Sequence, residues 1–563
     1  MSDYISSHYD LNEHRGKQML VLDTFKNMSK LIQNDVMPGS REDVAISGIE
    51  NPASTLKSSG NNYTTIPLRP VSKDVNFLYN NFLHGRLKIN YSVNSYSDSA
   101  ATTAADLQQN VNSAISLINT AAIFSRIQLL CGNTVIWQNQ FQRQEAICGQ
   151  ASLPQEIVET NAEYLTCSKI IKHAQIPGTY VTLSSDLKQS TGTYAGSFIL
   201  DFTCDINHLT PLLSNIPFTT IETGDLRLRL FLENVSEAFS ITCIPEMPAM
   251  GNTNYHVISP QPCNKLFSIT HPDVQTLATA SNTIAAGTAG TTQFLKFDIT
   301  SWEAVDVGIE IVQSNFSIKQ SSKDALRTYI KEDNTIIIPT QTWSTALSTA
   351  IPSSNEGQLI FQVSAFNIYL LAFLFPYDNA WPCYYPTVPF TNIDIQLNSK
   401  SVNYVPYKCI DSRVMKDTIQ AFVNDDKYGC NEMLIDSLQM PVNDSGYDAA
   451  NYLTRFDKSG NNTVNNPNMF VIAKGLSPPN SFEKGYCYAS SNPQSTQIRF
   501  NYHIQTGLET GASNKLNANK ELRTTNSPAY CMALQDCCLV LNYNPNVDVA
   551  QSGSIVYASP DVA

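Results

Sequence analysis

The sequence predicts an all-β chain: two tandem antiparallel sandwiches with helices confined to loops, preceded by an extended N-terminal arm. Three observations carry this. "GDLRLRLFLEN", residues 224–234, alternates Leu226, Leu228, Leu230 and Leu232 with Arg227, Arg229 and Phe231, the period of a sheet with one face in a core. "FSRIQLLCGNTVIW" (124–137) has an echo in "FTNIDIQLNSKSVNY" (390–404). Each opens Phe, hydroxyl, any residue, Ile, and places an aliphatic two residues on (Leu129, Ile395). Each then crosses a polar turn, Gly132-Asn133 or Asn398-Ser399, before Val135 or Val402. Finally, 563 residues exceed what one hydrophobic core holds, so the echo reads as one β-domain duplicated within the chain.

Along the chain, residues 15–33 place Leu22, Phe25, Met28 and Ile32 at helical spacing. From 35 to 75 the chain reads as an irregular polar arm broken by Pro38, Pro52, Pro67 and Pro70, so 1–75 is expected as an arm with one short helix. "RLKINYSV" begins the first sandwich (76–325) as a half-buried strand with Leu87, Ile89, Tyr91 and Val93 on one face. Leu107, Val111, Ile115 and Ile118 form a helical stripe behind Asp106, and 153–165 reads as a second helix with Ser152 as cap and Pro154 in its first turn. Residues 274–292, rich in Ala, Thr, Gly and Ser, read as a long loop; "VGIEIVQSNFSIKQS" (307–321) resumes alternation. The second sandwich (326–545) repeats the plan. "QLIFQVSAFNIYLLAFLF" (358–375) supplies two strands, a proline-aromatic loop leads into the echo at 390, and "STQIRFNYHIQT" (495–506) and "CCLVLNYN" (537–544) close the sheet before a tail at 546–563.

Composition bounds the function. Charged residues make up 15% of the chain, against roughly 25% in an average soluble domain. Surfaces so poor in charge suit interfaces, because removing Asn or Thr from water costs less than removing Lys or Glu. A net charge of −13 argues against a general nucleic-acid binder, and residues 1–60 hold six Lys/Arg against eight Asp/Glu, so no basic tail neutralises phosphates. Thirteen cysteines are scattered without CxxC or zinc-ligand spacing and read as buried thiols. The opening "MSDYISSHYDLNEH" reads as lacking a secretion signal, so a reducing compartment is expected. The longest apolar run, Ile368 to Phe375, is far shorter than the ~20 residues of a membrane-spanning helix.

No catalytic, metal or cofactor site emerges. Asp425-Asp426 stand beside Lys427 in a polar stretch and read as a solvated turn; His208 and His256 lie in no HxxxH or HxH arrangement. "GTAG" at 287–290 lacks the Lys and helix start of a phosphate loop, and the sequons at Asn234 and Asn315 read as chance without a secretion signal.

These residues resemble the double jelly-roll major capsid proteins of icosahedral double-stranded DNA viruses, nearest to virophages and polinton-like viruses in the adenovirus-like lineage. The likeness is carried by the arm and tandem sandwiches, by "LLSNIPFTTIETGDLRLRLFLEN" as the late part of a first jelly roll, and by Asn542-Tyr543-Asn544, Ser552-Gly553 and Tyr557 near the end. Pro545 and Asp548 depart from the aliphatic-basic run of the giant-virus relatives. The resemblance implies two eight-stranded jelly rolls and a homotrimeric, pseudo-hexameric capsomer that tiles an icosahedral shell around a DNA genome. It further implies a place in the virion, with neighbouring trimers, penton and minor capsid or cement proteins as partners. It implies no enzyme activity, no cofactor and no sequence-specific nucleic-acid contact. In that reading the loops at 274–292, 376–389 and 445–465 project outward or clasp neighbours, and the arm ties trimers together. Two other readings stand beside it: a β-sandwich carbohydrate-binding or viral attachment protein, and a glycoside-active enzyme, which needs paired carboxylates on facing strands.

Overall fold

A computed structural model of the chain describes residues 32, 34–68, 70–71, 73–78, 81–97, 111–117, 120–151, 192–206, 209–214, 219–220, 226–245, 258–263, 266–270, 292–325, 335–350, 356–365, 367–376, 385, 388, 390–402, 412–422, 442–443, 446–447, 470–476, 488–489, 496–504, 528–544 and 549–557. Eight principal strands build a first sandwich, joined in one sheet by the shorter strands Val75–Asn76, Thr219–Thr220 and Leu266–Thr270: β1 Glu42–Ser47, β2 Tyr63–Pro67, β3 Phe82–Ser97, β4 Arg126–Cys131, β5 Thr134–Asn139, β6 Gly192–Asp205, β7 Leu226–Phe231 and β8 Thr292–Phe316. Eight more build a second: β9 Thr335–Ala350, β10 Glu356–Val363, β11 Asn367–Leu374, β12 Phe390–Leu397, β13 Lys400–Ser401, β14 Val471–Gly475, β15 Thr496–Ile504 and β16 Pro528–Asn544.

The first sandwich pairs its strands in the orders β1-β8-β3-β6 and β2-β7-β4-β5, the second in the orders β9-β16-β11-β14 and β10-β15-β12-β13, every pairing antiparallel. Each second-sandwich order is the first with eight added. First strand beside last, and second beside seventh, is the jelly-roll wrap, here made twice by one chain. The echo in the sequence is the fourth-to-fifth-strand hairpin of each sandwich. Gly132 (φ 61°) allows the two-residue turn in one; Asn398 (φ 47°) and Ser399 (φ 68°), both left-handed, make it in the other. A helix follows the fifth strand in both: α1 Gln142–Ala151 and α2 Ser412–Phe422.

Core packing follows the periodicity. Leu226, Leu228 and Leu230 of β7 are fully buried while Arg227 and Arg229 are half-buried on the other face; Phe231 lies under the Arg126 guanidinium, 3.9 Å from its ring centre. In the second sandwich Phe361, Phe373, Phe375, Phe390, Phe470 and Phe500 form one aromatic cluster, with Phe373 and Phe500 at 4.9 Å and Phe375 and Phe390 at 5.1 Å between ring centres. Gly85 of β3 pairs with Phe202 of β6 and lies under its ring; a Cβ there would stand 2.3 Å from Phe202 Cζ. Gly85→Ala is therefore expected to lower stability by about 1–3 kcal/mol, read as a fall in Tm.

Three expectations need correction. The stretch read as an irregular arm at 35–75 holds β1 and β2: Val44 and Ile46 of "EDVAIS" fit a short edge strand, and Thr64, Thr65 and Ile66 are buried against β7. Two of the eight strands thus precede residue 76, where the first sandwich was expected to begin. Within the helical stripe expected at 106–118, the described part, Val111–Leu117, is instead a strand paired with Phe239–Pro245, which itself pairs with Ile258–Pro262. Val111 and Ile115, four residues apart, fit either period; Leu117 continues only the strand period, and cross-strand pairing decides. The tail at 546–563 contains a further strand, β17 Val549–Tyr557, running antiparallel to β16. The helices expected at 15–33 and 153–165 lie outside the described residues apart from Ile32, which is buried. Of the expected loops, most of 274–292, 376–389 and 445–465 likewise lies outside them.

Candidate functional site: the joint between the two sandwiches

A set of buried polar side chains lies where the sandwiches meet. Asn139, closing β5, accepts from the Phe141 amide (2.6 Å) and donates to Gln142 Oε1 (2.7 Å), which starts α1. The helix begins "QRQEAIC", and every one of those residues is buried, although polar groups lie all round it. A polar helix is buried only where fixed partners meet its side chains. Gln142 Nε2 donates to Leu209 O (2.7 Å). Arg143 donates to Ala122 O (3.1 Å), Glu233 O and Asn234 O (both 2.9 Å), and pairs with Glu237 (2.7 Å), so its fork ties α1 to the turns on either side of it. Burial pushes the Glu237 carboxyl above its ordinary value against the pull of Arg143.

Glu145 has no such cation. It is 5% exposed, bonds to Thr210, and leaves Oε2 without a hydrogen-bond partner. Burial therefore raises its carboxyl well above the usual range by disfavouring the ionised form. One turn on, the Cys148 thiol is also raised, first by burial and then by Glu145, and its Sγ lies 3.6 Å from Met532 Sδ of the second sandwich.

Other contacts complete the joint. Trp137 Nε1 donates to Thr342 Oγ1 (3.1 Å), Thr340 Oγ1 donates to Leu212 O (2.7 Å), and Phe141 meets Tyr530 edge-on at 5.9 Å. β17 extends the second sandwich's sheet and packs over the β4–β5 hairpin of the first: a Cβ on Gly553 would meet Leu541 Cδ2 at 2.9 Å and Ile136 Cδ1 at 3.3 Å. The buried apolar side chains form one continuous cluster through both sandwiches. Gly553→Val is expected to push β17 off the hairpin and loosen the joint, seen as faster hydrogen exchange in residues 126–139 with little change in β10–β12.

Asp425, Asp426, His208, His256 and the 287–290 segment lie outside the described residues. Asn234 sits in a left-handed turn before a short helix, and Asn315 is fully buried in sheet pairing with β1, in a network of Asn76 and Asn81. Cys131, Cys148, Cys204, Cys263, Cys531, Cys537 and Cys538 are buried and stand outside any disulfide. Among the described residues no group of His, Cys, Asp and Glu is arranged to hold a metal ion, and no helix is long and apolar enough to cross a membrane. The residues missed by sequence reasoning are Arg143 and Glu145. Their only signal was a short stretch with polar residues on every side of a helix, a pattern shared with exposed helices.

No family model matches the sequence, and no curated protein matches it. Among solved structures the chain is similar to the mavirus major capsid protein, at 10% identity over 93% of this chain and 92% of that one with a TM-score of 0.41. It is also similar to the Faustovirus major capsid protein (9% identity, 93% and 98% covered, TM-score 0.41) and to a chain of the Sputnik virophage (9% identity, 94% and 90% covered, TM-score 0.40).

Proposed function

We propose that this chain is a viral major capsid protein, a structural subunit of the virion without enzyme activity. The observation that carries the proposal is the same eight-strand order made twice in one chain and locked by a buried joint. A jelly roll by itself serves capsids, lectins and cupins alike. Two fused side by side answer a geometric need: three copies of a doubled unit give six similar wedges, so a threefold oligomer can fill a six-cornered place in a lattice. A charge-poor surface allows the flanks to be buried between subunits at small desolvation cost. Contacts between trimers gain strength by number, which lets misplaced units leave.

In this reading the first unit begins near residue 32, the second near 335, and residues 1–31 are the arm that ties a trimer to its neighbours or to minor capsid proteins. Size-exclusion chromatography with light scattering is expected to give a particle of about three times 62.3 kDa. Electron microscopy of concentrated protein is expected to show pseudo-hexagonal tiles. Removing residues 1–31 should leave the trimer and stop shell growth. A stable monomer retained on a glycan column would replace this reading with the attachment-protein one.

A further inference from the structure

The strand registers relate the two sandwiches residue by residue. Leu228 stands between Ile66 and Leu129, as Phe500 stands between Leu359 and Ile395. The same registers match Tyr63 with Glu356, Thr65 with Gln358, Gln128 with Asp394, Arg229 with Asn501 and Phe231 with His503.

At this place the two sandwiches differ. In the first, the chain covers the outer edge of β2 itself. Ile49 N donates to Thr65 O (2.8 Å), Asn51 Nδ2 to Tyr63 O (3.0 Å), and Glu50 accepts from Arg229 Nη2 across the sheet (2.7 Å). Gly48 makes the approach possible, since a Cβ there would fall 2.0 Å from Thr64 Oγ1. Thr65 is left with no exposure. In the second, the connection from β9 to β10 is residues 351–355, a third of the length of the 48–62 segment that supplies the cover in the first. That is too short to double back along β10. Glu356, Gln358, Ile360 and Gln362 are all exposed, and among the described residues β10 pairs on one side only, with β15. A groove of about 400 Å³ remains on the outer face, lined by Glu356, Gly357, Asn392, Asp394, Asn501 and His503.

The sign of the charge is reversed as well. The covered sheet offers Arg229 to a carboxylate; the other presents two carboxylates on its outer face, Asp394, which accepts from Gln396 Nε2 and Ser401 Oγ (both 2.6 Å), and Glu356, 3.5 Å from His503 Nδ1, with Asn501 in place of that arginine. An eight-residue strand without Pro, Lys or bulge is a template for strand addition, with alternate residues directing N–H and C=O outward.

We propose that an extended segment of a second copy of this chain, carrying a lysine or arginine, adds along the outer edge of β10 and fills this groove, doing in trans what Gly48–Asn51 does in cis. The choice of a second copy rests on the capsid reading, which sets copies side by side.

The test places a benzophenone side chain at Gln358 in the full-length protein, with light scattering to follow assembly and a benzophenone at Thr65 as control. Irradiation of assembled particles is expected to join two chains through Gln358, with the cross-link mapping to a basic segment, while Thr65 links to residues 48–51 of its own chain. Glu356→Lys, at an exposed position, is expected to cut the Gln358 yield about fivefold. Particles that assemble but cross-link at Gln358 only within one chain, or to a different protein, overturn the inference and leave the capsid reading intact. A chain that stays monomeric removes both, and an unchanged yield for Glu356→Lys removes the basic occupant.

Discussion

Arg143→Ala is expected to cost about 3–5 kcal/mol of stability, the range for removing one partner of a buried ion pair. The loss is large because the side chain serves four acceptors at once. Ala122 O, Glu233 O, Asn234 O and the Glu237 carboxylate all depend on one fork, and water cannot replace it at a site where Arg143 is 6% exposed. Arg143→Lys should recover only part, since an ammonium has three donors and no planar fork. Chemical denaturation followed by fluorescence measures both. A loss below ~1 kcal/mol for the alanine variant would show that α1 is not what holds the turns at 122 and 233–237 together.

Glu145→Gln is expected to stabilise the protein at neutral and alkaline pH and to abolish part of its pH dependence. Unfolded, Glu145 titrates near 4.5; folded, burial keeps its proton to higher pH. Below 4.5 both states are protonated and the group costs nothing. As pH rises past 4.5 the unfolded chain releases its proton while the native one does not, so stability falls by about 1.4 kcal/mol per pH unit. The fall ends at the raised native value, above which both states are ionised and the penalty is complete. The penalty at Glu145 is therefore absent in acid and grows towards alkali. Thermal melts from pH 4 to 9 should show this slope in the parent and a flatter profile in Glu145→Gln; identical slopes would place the titration elsewhere.

The N-terminal edge has the opposite sign. The Thr65 hydroxyl and the Arg229 guanidinium hold the Glu50 carboxyl below its ordinary range, Arg41 and Ser314 do the same for Asp43, and Lys319 and Ser322 for Asp35. These contributions are present above the unfolded values and are lost as pH falls through the lowered native ones. Acid is thus expected to free the segment covering β2 while the joint holds. Hydrogen exchange at pH 3 should rise first at residues 42–51, and Glu50→Gln should bring that rise to neutral pH.

How much of this was legible in the residues depends on whether the physics was local. Strict alternation in Leu226–Phe231 leaves no choice but a half-buried strand, and the paired Phe-x-x-Ile stretches at 124 and 390 marked equivalent hairpins because each needs a core aliphatic, a tight turn and a return. The duplication, the all-β class and the run of strands from 356 to 374 followed from such short-range patterns. β1 and β2 did not, because prolines and charges obscured strands that are strands only through their partners, Ile311 for Ile46 and Leu228 for Ile66. The stretch Val111–Leu117 read as a helix for the same reason.

The sequence by itself determined the class of the fold and its doubling, since side-chain periodicity is written one residue after the next. Only the tertiary structure decided that α1 is buried, that burial raises the Glu145 carboxyl there, and that β2 is covered while β10, among the described residues, pairs on one side only. Burial and protonation depend on which surfaces meet, and Glu145 meets Thr210 while Glu50 meets Arg229 across 179 residues of chain. Such pairings arise from the sum of many weak contacts over the whole molecule, so no local stretch of sequence encodes them.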